Sequence, residues 1–279
     1  MTTFKFNFSG LLDESENKDN EDIKWLKSEE IVPKNQLKDF DDLVNHAKMF
    51  TCGDVEIGHV VISDMINYLK VQGLENVVEL AENNHSDLVS GKYEGGLKIW
   101  ECTNDLVEYF EEQETINFNS LRVLDLGCGA GILGIYAFLK GASVTFQDYN
   151  KEIIEISTIP NVILNIEEEE RDDGLKKCKF YSGDWASFDK LLDSSEKYDI
   201  ILTAETIYNE KNYIKLLTLI KNRLSDSGIA YVAAKTYYFG VGGGTRQFEK
   251  ALKDYNLISE VLWKTSTGIQ REILKVKKS

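Results

Sequence analysis

The chain is 279 residues long, with 42% hydrophobic residues, 28% charged residues and a formal net charge of −15. That composition supports a folded core over most of the length and speaks against global disorder. An acidic surface disfavours non-specific nucleic-acid binding and suits a basic partner. No apolar run approaches the roughly 18 residues of a membrane helix. The opening Met1–Gly10 lacks the order of a signal peptide, so the expected location is cytoplasm and nucleus. Cys52, Cys102, Cys128 and Cys178 stand far apart with no C-x-x-C pair, and His46, His59 and His85 have no ligand spacing. No metal site is expected, and the thiols read as small buried side chains.

In chain order, Phe4, Phe6 and Phe8 alternate with Lys5 and Asn7, the period of a short strand. From Asp13 to Glu30 there are eight acidic residues against Lys18, Lys24 and Lys27, which reads as a mobile, solvated linker. Residues 59–72 have apolar positions at helical spacing and predict an amphipathic helix ending near Gly73. Residues 1–85 are therefore read as an N-terminal extension, and 86–279 as the main domain.

After Gly95 strands and helices alternate. Arg122–Leu126, Ser143–Gln147, Lys179–Ser182, Tyr198–Thr203, Ile229–Ala234, Ile258–Trp263 and Glu272–Val276 predict seven strands. Helices are predicted at Ile132–Lys140, at Lys151 to about Ile159 (stopping before Pro160), at Lys211–Leu224 and at Gln247–Tyr255. The fold class is α/β, a doubly wound, mainly parallel sheet covered on both faces. Such sheets bind ligands at the carboxyl ends of their strands.

The strongest local signal is Val123-Leu-Asp-Leu-Gly-Cys-Gly-Ala-Gly-Ile-Leu-Gly134. Gly127, Gly129 and Gly131 allow a tight turn and a close ligand approach, and Asp125 ends the strand before them. Gly129–Gly134 also satisfies the dinucleotide fingerprint G-x-G-x-x-G. A carboxylate at Asp125 would repel a pyrophosphate and favour the ammonium of S-adenosylmethionine, so the methyl donor is preferred to NAD. Asp148, ending the second strand, suits two ribose hydroxyls, with helix capping as its alternative. Asp184 suits an adenine amino group, and Trp185 either the ring face or the core.

At these residues a resemblance emerges. Tyr93-Glu-Gly-Gly-Leu-Lys-Ile-Trp-Glu-Cys-Thr103, Val123–Gly129, Phe146-Gln-Asp-Tyr-Asn150, Tyr198–Asn209 and Tyr238-Phe-Gly-Val-Gly-Gly-Gly244 resemble the protein-histidine N-methyltransferases. These are seven-β-strand, S-adenosylmethionine-dependent enzymes, and the likeness runs from about Ser86 to the C-terminus. It implies methylation of the tele nitrogen of a histidine in a large-subunit ribosomal protein. By motif it implies cofactor contacts from Ile99, Trp100, Glu101, Cys102, Thr103, Gly127, Gln147, Asp148, Tyr149, Gly183, Asp184, Trp185 and Ala204, beside the Asp125 and Gly129 read from the loop itself.

Methyl transfer is an in-line displacement at carbon, and neutral imidazole, with a pKa near roughly 6.5, is a competent nucleophile. The protein must choose the ring nitrogen, by accepting a hydrogen bond from the other one. Glu205, Tyr208 and Asn209 leave the fourth strand where a substrate would lie and are the candidates for that role. Asn209 has helix capping as its alternative. Tyr237, Tyr238 and Gly240–Gly244 are expected to form a loop near the acceptor. Two rival functions remain: a protein-lysine methyltransferase of the same fold, and a cofactor-binding ribosome-assembly factor without essential catalysis. A monomer is expected.

Overall fold

The computed structural model describes residues 25–33, 47–61, 94–96, 98–113 and 116–279. One sheet organises them. Its strands are β1 (Glu29–Glu30), β4 (Arg122–Leu126), β5 (Ser143–Asp148), β6 (Cys178–Ser182), β7 (Tyr198–Ala204), β8 (Leu224–Lys235), β9 (Leu257–Lys264) and β10 (Arg271–Lys278). The order is β1-β6-β5-β4-β7-β8-β10-β9. Strands β6, β5, β4, β7 and β8 pair in parallel, while β10 enters antiparallel between β8 and β9. A separate hairpin joins β2 (Ala47–Cys52) to β3 (Val55–Val60).

The seven expected strands are present, and β1 makes an eighth. The central ones were visible because strands buried on both faces read as unbroken apolar runs. In β4, Val123, Leu124, Asp125 and Leu126 are all buried. The sheet carries a core on each face. One is built by α1 (Glu101–Gln113), α2 (Ile132–Leu139), α3 (Lys151–Ile153) and α4 (Ile159–Leu164), the other by α6 (Trp185–Leu191), α7 (Tyr213–Arg223) and α8 (Thr245–Leu252). The short α5 (Arg171–Lys176) leads into β6.

Three expectations are corrected. The helix predicted to stop before Pro160 runs on to Leu164, because α3 and α4 are joined by a π turn, Ile154–Thr158. Pro160 sits in the first turn of α4, where a missing N–H costs little. His59 and Val60 end a strand rather than begin a helix; residues 62–72 lie outside the described residues, as do Phe4–Phe8. The acidic stretch is docked at its end: Ser28 is buried, and Glu29–Glu30 pair with Tyr181–Ser182. The hairpin rests on α4 and the turn after it, with Val60 donating to Asn161 Oδ1 (2.8 Å) and Gly58 to Asn165 Oδ1 (2.9 Å). Ile31, Cys52 and Ile57 thus share one core with residues beyond position 86.

Candidate active site

Strand β4 has β5 on one side and β7, reached after the chain reverses direction across the sheet, on the other. That switch point opens a crevice at the carboxyl ends of the strands. The crevice is a cleft of about 890 Å³, counting its open mouth. Of the expected residues, Ile99, Trp100, Thr103, Asp125, Gly127, Gly129, Asp148, Tyr149, Gly183, Asp184, Trp185, Ala204, Glu205 and Tyr208 line it.

The β4–α2 loop forms the floor. Gly127, Gly129 and Gly131 have φ of 67°, 50° and 78°, and a Cβ on Gly127 would lie 2.7 Å from Thr206 Cγ2. Two buried carboxylates flank the loop. Asp125 Oδ2 accepts from the Gly134 amide (2.8 Å), and Asp148 Oδ2 from the Gly129 amide (2.9 Å). Burial pushes the Asp125 carboxyl up to about 7, against the pull of the Gly134 amide and helped by the Asp148 charge. Burial likewise pushes Asp148 up to about 6, opposed by the Gly129 amide. Asp148 Oδ1 accepts from the Asn150 amide, while the Asn150 side chain caps no helix and accepts instead from the Glu94 amide.

This cradle fits S-adenosylmethionine on its own geometry. Lys98 is the one basic residue on the cleft wall among the described residues, so a pyrophosphate would meet two buried carboxylates and little positive charge. A ligand with ammonium and sulfonium charges meets the reverse.

Four expected residues stand outside the lining. Gln147 is fully buried, donates to the Gly183 carbonyl (2.7 Å) and accepts from Trp185 Nε1 (3.0 Å), so it orients the wall from behind. Cys102 is buried beneath the cleft. Glu101 is exposed at the start of α1, with Lys235 Nζ at 3.7 Å. Asn209 caps the turn after it, accepting from the Lys211 amide at 3.0 Å. Asp184 has a double role, since it lines the cleft yet caps α6 through Ala186 and pairs with Lys215 (2.6 Å).

Glu205 is the unusual member. It is 7% exposed, and neither carboxylate oxygen has a hydrogen-bond partner among the described residues. Its backbone is left-handed (φ 58°), rare for a long side chain. Lys235 Nζ lies 3.6 Å from Oε1. Burial, and after it the Glu205 charge, pushes both the Cys102 thiol and the Tyr238 phenol well above their ordinary values. Tyr208 donates to Glu94 and meets the Tyr238 ring edge-on at 6.3 Å.

The expected Tyr237, Tyr238 and Gly240–Gly244 lie in the loop 236–244 that follows β8 over this corner. It buries Tyr238 and exposes Tyr237, Phe239 and Val241, Phe239 being 86% exposed. Trp25, Glu94, Gly96, Lys98, Thr206 and Asn212 also line the cleft and were not expected. A tryptophan alone inside a charged stretch was the available signal for Trp25.

A family model described as lysine methyltransferase matches residues 86–240. The histidine protein methyltransferase 1 homolog of Bos taurus is 42% identical over 78% of this chain and 65% of its own length. The homolog of Rattus norvegicus is 37% identical over 89% of this chain and 73% of its own. This chain therefore spans just under two thirds of the first relative and rather more of the second. The EEF1A lysine methyltransferase 3 of Mus musculus is 29% identical over 50% of this chain and 55% of its own. Among solved structures, the glycopeptide N-methyltransferase MtfA with sinefungin aligns with a TM-score of 0.48 and 12% identity, over 64% of this chain and 95% of that one.

Proposed function

We propose, from the premise that this chain belongs to the lysine methyltransferase family, that it moves a methyl group from S-adenosylmethionine to the tele nitrogen of a histidine in a protein. The relatives of higher identity carry histidine in their names, and the lysine-directed one is more distant. When bound, the donor supplies an electrophilic methyl: the nitrogen–carbon bond forms as the carbon–sulfur bond breaks, and that electron pair stays on sulfur. Asp125 and Asp148 line the cleft, where Asp125 would hold the donor's ammonium and Asp148 would accept from its ribose hydroxyls. Alignment in a dry cleft contributes on the order of 7–11 kcal/mol.

Glu205 is the observation that carries the acceptor. A buried carboxylate that accepts no hydrogen bond among the described residues, with its ion-pair partner Lys235 3.6 Å away, is under-satisfied, and a ligand that donates to it lowers that cost. The pros N–H of an imidazole does so, fixing the tautomer with the tele lone pair towards the methyl. As that nitrogen is alkylated, Glu205 stabilises the imidazolium and holds its proton until solvent takes it. A lysine ammonium is the poorer fit, because Lys235 already places a cation 3.6 Å from the same carboxylate.

The exposed Tyr237, Phe239 and Val241, on the loop whose Tyr238 meets Tyr208, suit a polypeptide rather than a free amino acid. The net charge of −15 suits a basic one. A large-subunit ribosomal protein meets that description, and the enzyme then works as a monomer in cytoplasm and nucleus, where such proteins are made and assembled. The test is incubation with donor and purified ribosomal proteins, with the methylated side chain located by mass spectrometry. Methyl-histidine at the tele position is expected; methyl-lysine, or no transfer, would overturn the reading.

A further inference from the structure

The segment before β1 packs on the cleft rather than beside it. Leu26 donates its amide to Tyr149 Oη (3.2 Å) and accepts from the Asp184 amide (3.0 Å). Ser28 donates to Ser187 Oγ (2.9 Å), and Ile31 to the Phe180 carbonyl (2.8 Å). A Cβ on Gly183 would lie 2.5 Å from Ser28 Cα, so the glycine of Gly183-Asp-Trp185 is what admits the segment.

These contacts carry Trp25 onto the cleft wall, at the end enclosed by Tyr149, Asp184 and Trp185. Its indole meets the Tyr149 ring edge-on (centroids 6.1 Å apart, planes at 87°). Lys215 Nζ stands 3.1 Å from the indole centroid while paired with Asp184. Two aromatic rings, an anchored carboxylate and a second indole thus box one end of a cleft whose other end holds Glu205 and Tyr208. A flat heteroaromatic ring with an amino donor is the ligand part that such a box accepts.

We propose that Trp25 is a donor-binding residue that covers the nucleobase of S-adenosylmethionine, making the segment 25–31 a working part of the cofactor site. Its backbone is zipped to β6 and α6, so the indole is held ready without the nucleobase having to order it. The role concerns the donor alone and stands whichever side chain receives the methyl.

The test uses the full chain and S-adenosylhomocysteine, with binding measured by calorimetry. Trp25→Ala and Trp25→Leu should each weaken binding roughly ten-fold, about 1.4 kcal/mol. Trp25→Phe, which keeps an aromatic face, should stay within about two-fold of the parent. Methylthioadenosine, which lacks the amino-acid moiety, should lose affinity by the same factor. Hydrogen exchange supplies a readout that needs no substitution: the amides of Leu26, Ser28 and Asp184 should exchange more slowly once the ligand is bound. Wild-type affinity in Trp25→Leu overturns the proposal. So does a loss seen with S-adenosylhomocysteine but not with methylthioadenosine, or unchanged exchange at those amides.

Discussion

Glu205 combines a left-handed backbone with a buried carboxylate that accepts no hydrogen bond among the described residues and has Lys235 Nζ 3.6 Å away. Each feature typically costs on the order of 1–3 kcal/mol, so the residue carries a cost that Lys235 offsets in part and a bound acceptor offsets further. Glu205→Gln keeps the shape and removes the charge. It should lower kcat for protein methylation by roughly 10–100-fold, about 1.4–2.8 kcal/mol, and leave S-adenosylhomocysteine affinity within about two-fold. Its melting temperature should equal or exceed the parent's; a loss confined to donor affinity would move Glu205 into the donor site. Asp125 makes a different demand. Its carboxyl is raised from 3.8 to about 7 by burial, so protonation favours the free fold. That contribution is complete below about pH 4 and is lost as pH rises through about 7. Ligand ammonium favours the ionised form, so donor affinity changes in the opposite sense. Between about pH 5 and 7 the free protein should melt at progressively lower temperature while S-adenosylhomocysteine binds progressively tighter, and both trends should level off by about pH 8. Asp125→Asn should flatten both slopes below about pH 7, and parallel slopes in the parent would refute the assignment.

Among the elements, the loop after β8 has the clearest division of labour. Tyr238 packs inward on Tyr208, while Phe239 and Val241 stand in solvent with no structural duty that burial would reveal. Phe239→Ala should raise KM for a protein substrate roughly five-fold with little change in kcat, and should not alter donor binding. Equal KM values in a methylation assay would remove the loop from the substrate path. The sequence disclosed this loop through its glycines and tyrosines, and it disclosed β4 to β10 through apolar runs and their breakers. It disclosed neither β1 nor α1. Glu29 and Glu30 are both exposed and form a strand only because β6 offers an open ladder. The hairpin had a signal, Gly53-Asp54 between Cys52 and Val55, a two-residue turn that outweighs the helical spacing seen just beyond it. In the site, glycine spacing and strand-end acids were legible because they are local. Trp25, Glu94 and Lys98 were not, since they reach the cleft from segments whose approach is set by tertiary packing. Asn209 and Cys102 show the converse: their neighbours in the motif face the cleft, while these two turn to a backbone cap and to the core.

At the scale of the whole molecule, segments on both sides of position 86 build one core, and α1 is tied to the far strand β10 by the Asp105–Arg271 pair, with Arg271 Nη2 2.9 Å from Asp105 Oδ1. Pairs of this kind are strongly destabilising when one partner is removed, so the helix that bears Thr103 and follows Trp100 is held against the acceptor end of the sheet by more than apolar contact. Strand β1 has an effect unrelated to ligands. A sheet edge is a template for any other extended chain, and natural folds blunt it with charge or cover it. The β6 edge carries Phe180 and Tyr181, and two glutamates are what lie across it. They occupy the ladder with a strand too short to be extended and too acidic to attract a second copy of an acidic protein. A chain shortened by residues 1–33 should therefore self-associate through β6, seen as a concentration-dependent rise in light scattering that the intact chain does not show. A monodisperse truncated chain would mean that the edge is blunted by other means. On this view Glu29 and Glu30 close this edge of the sheet to a second strand.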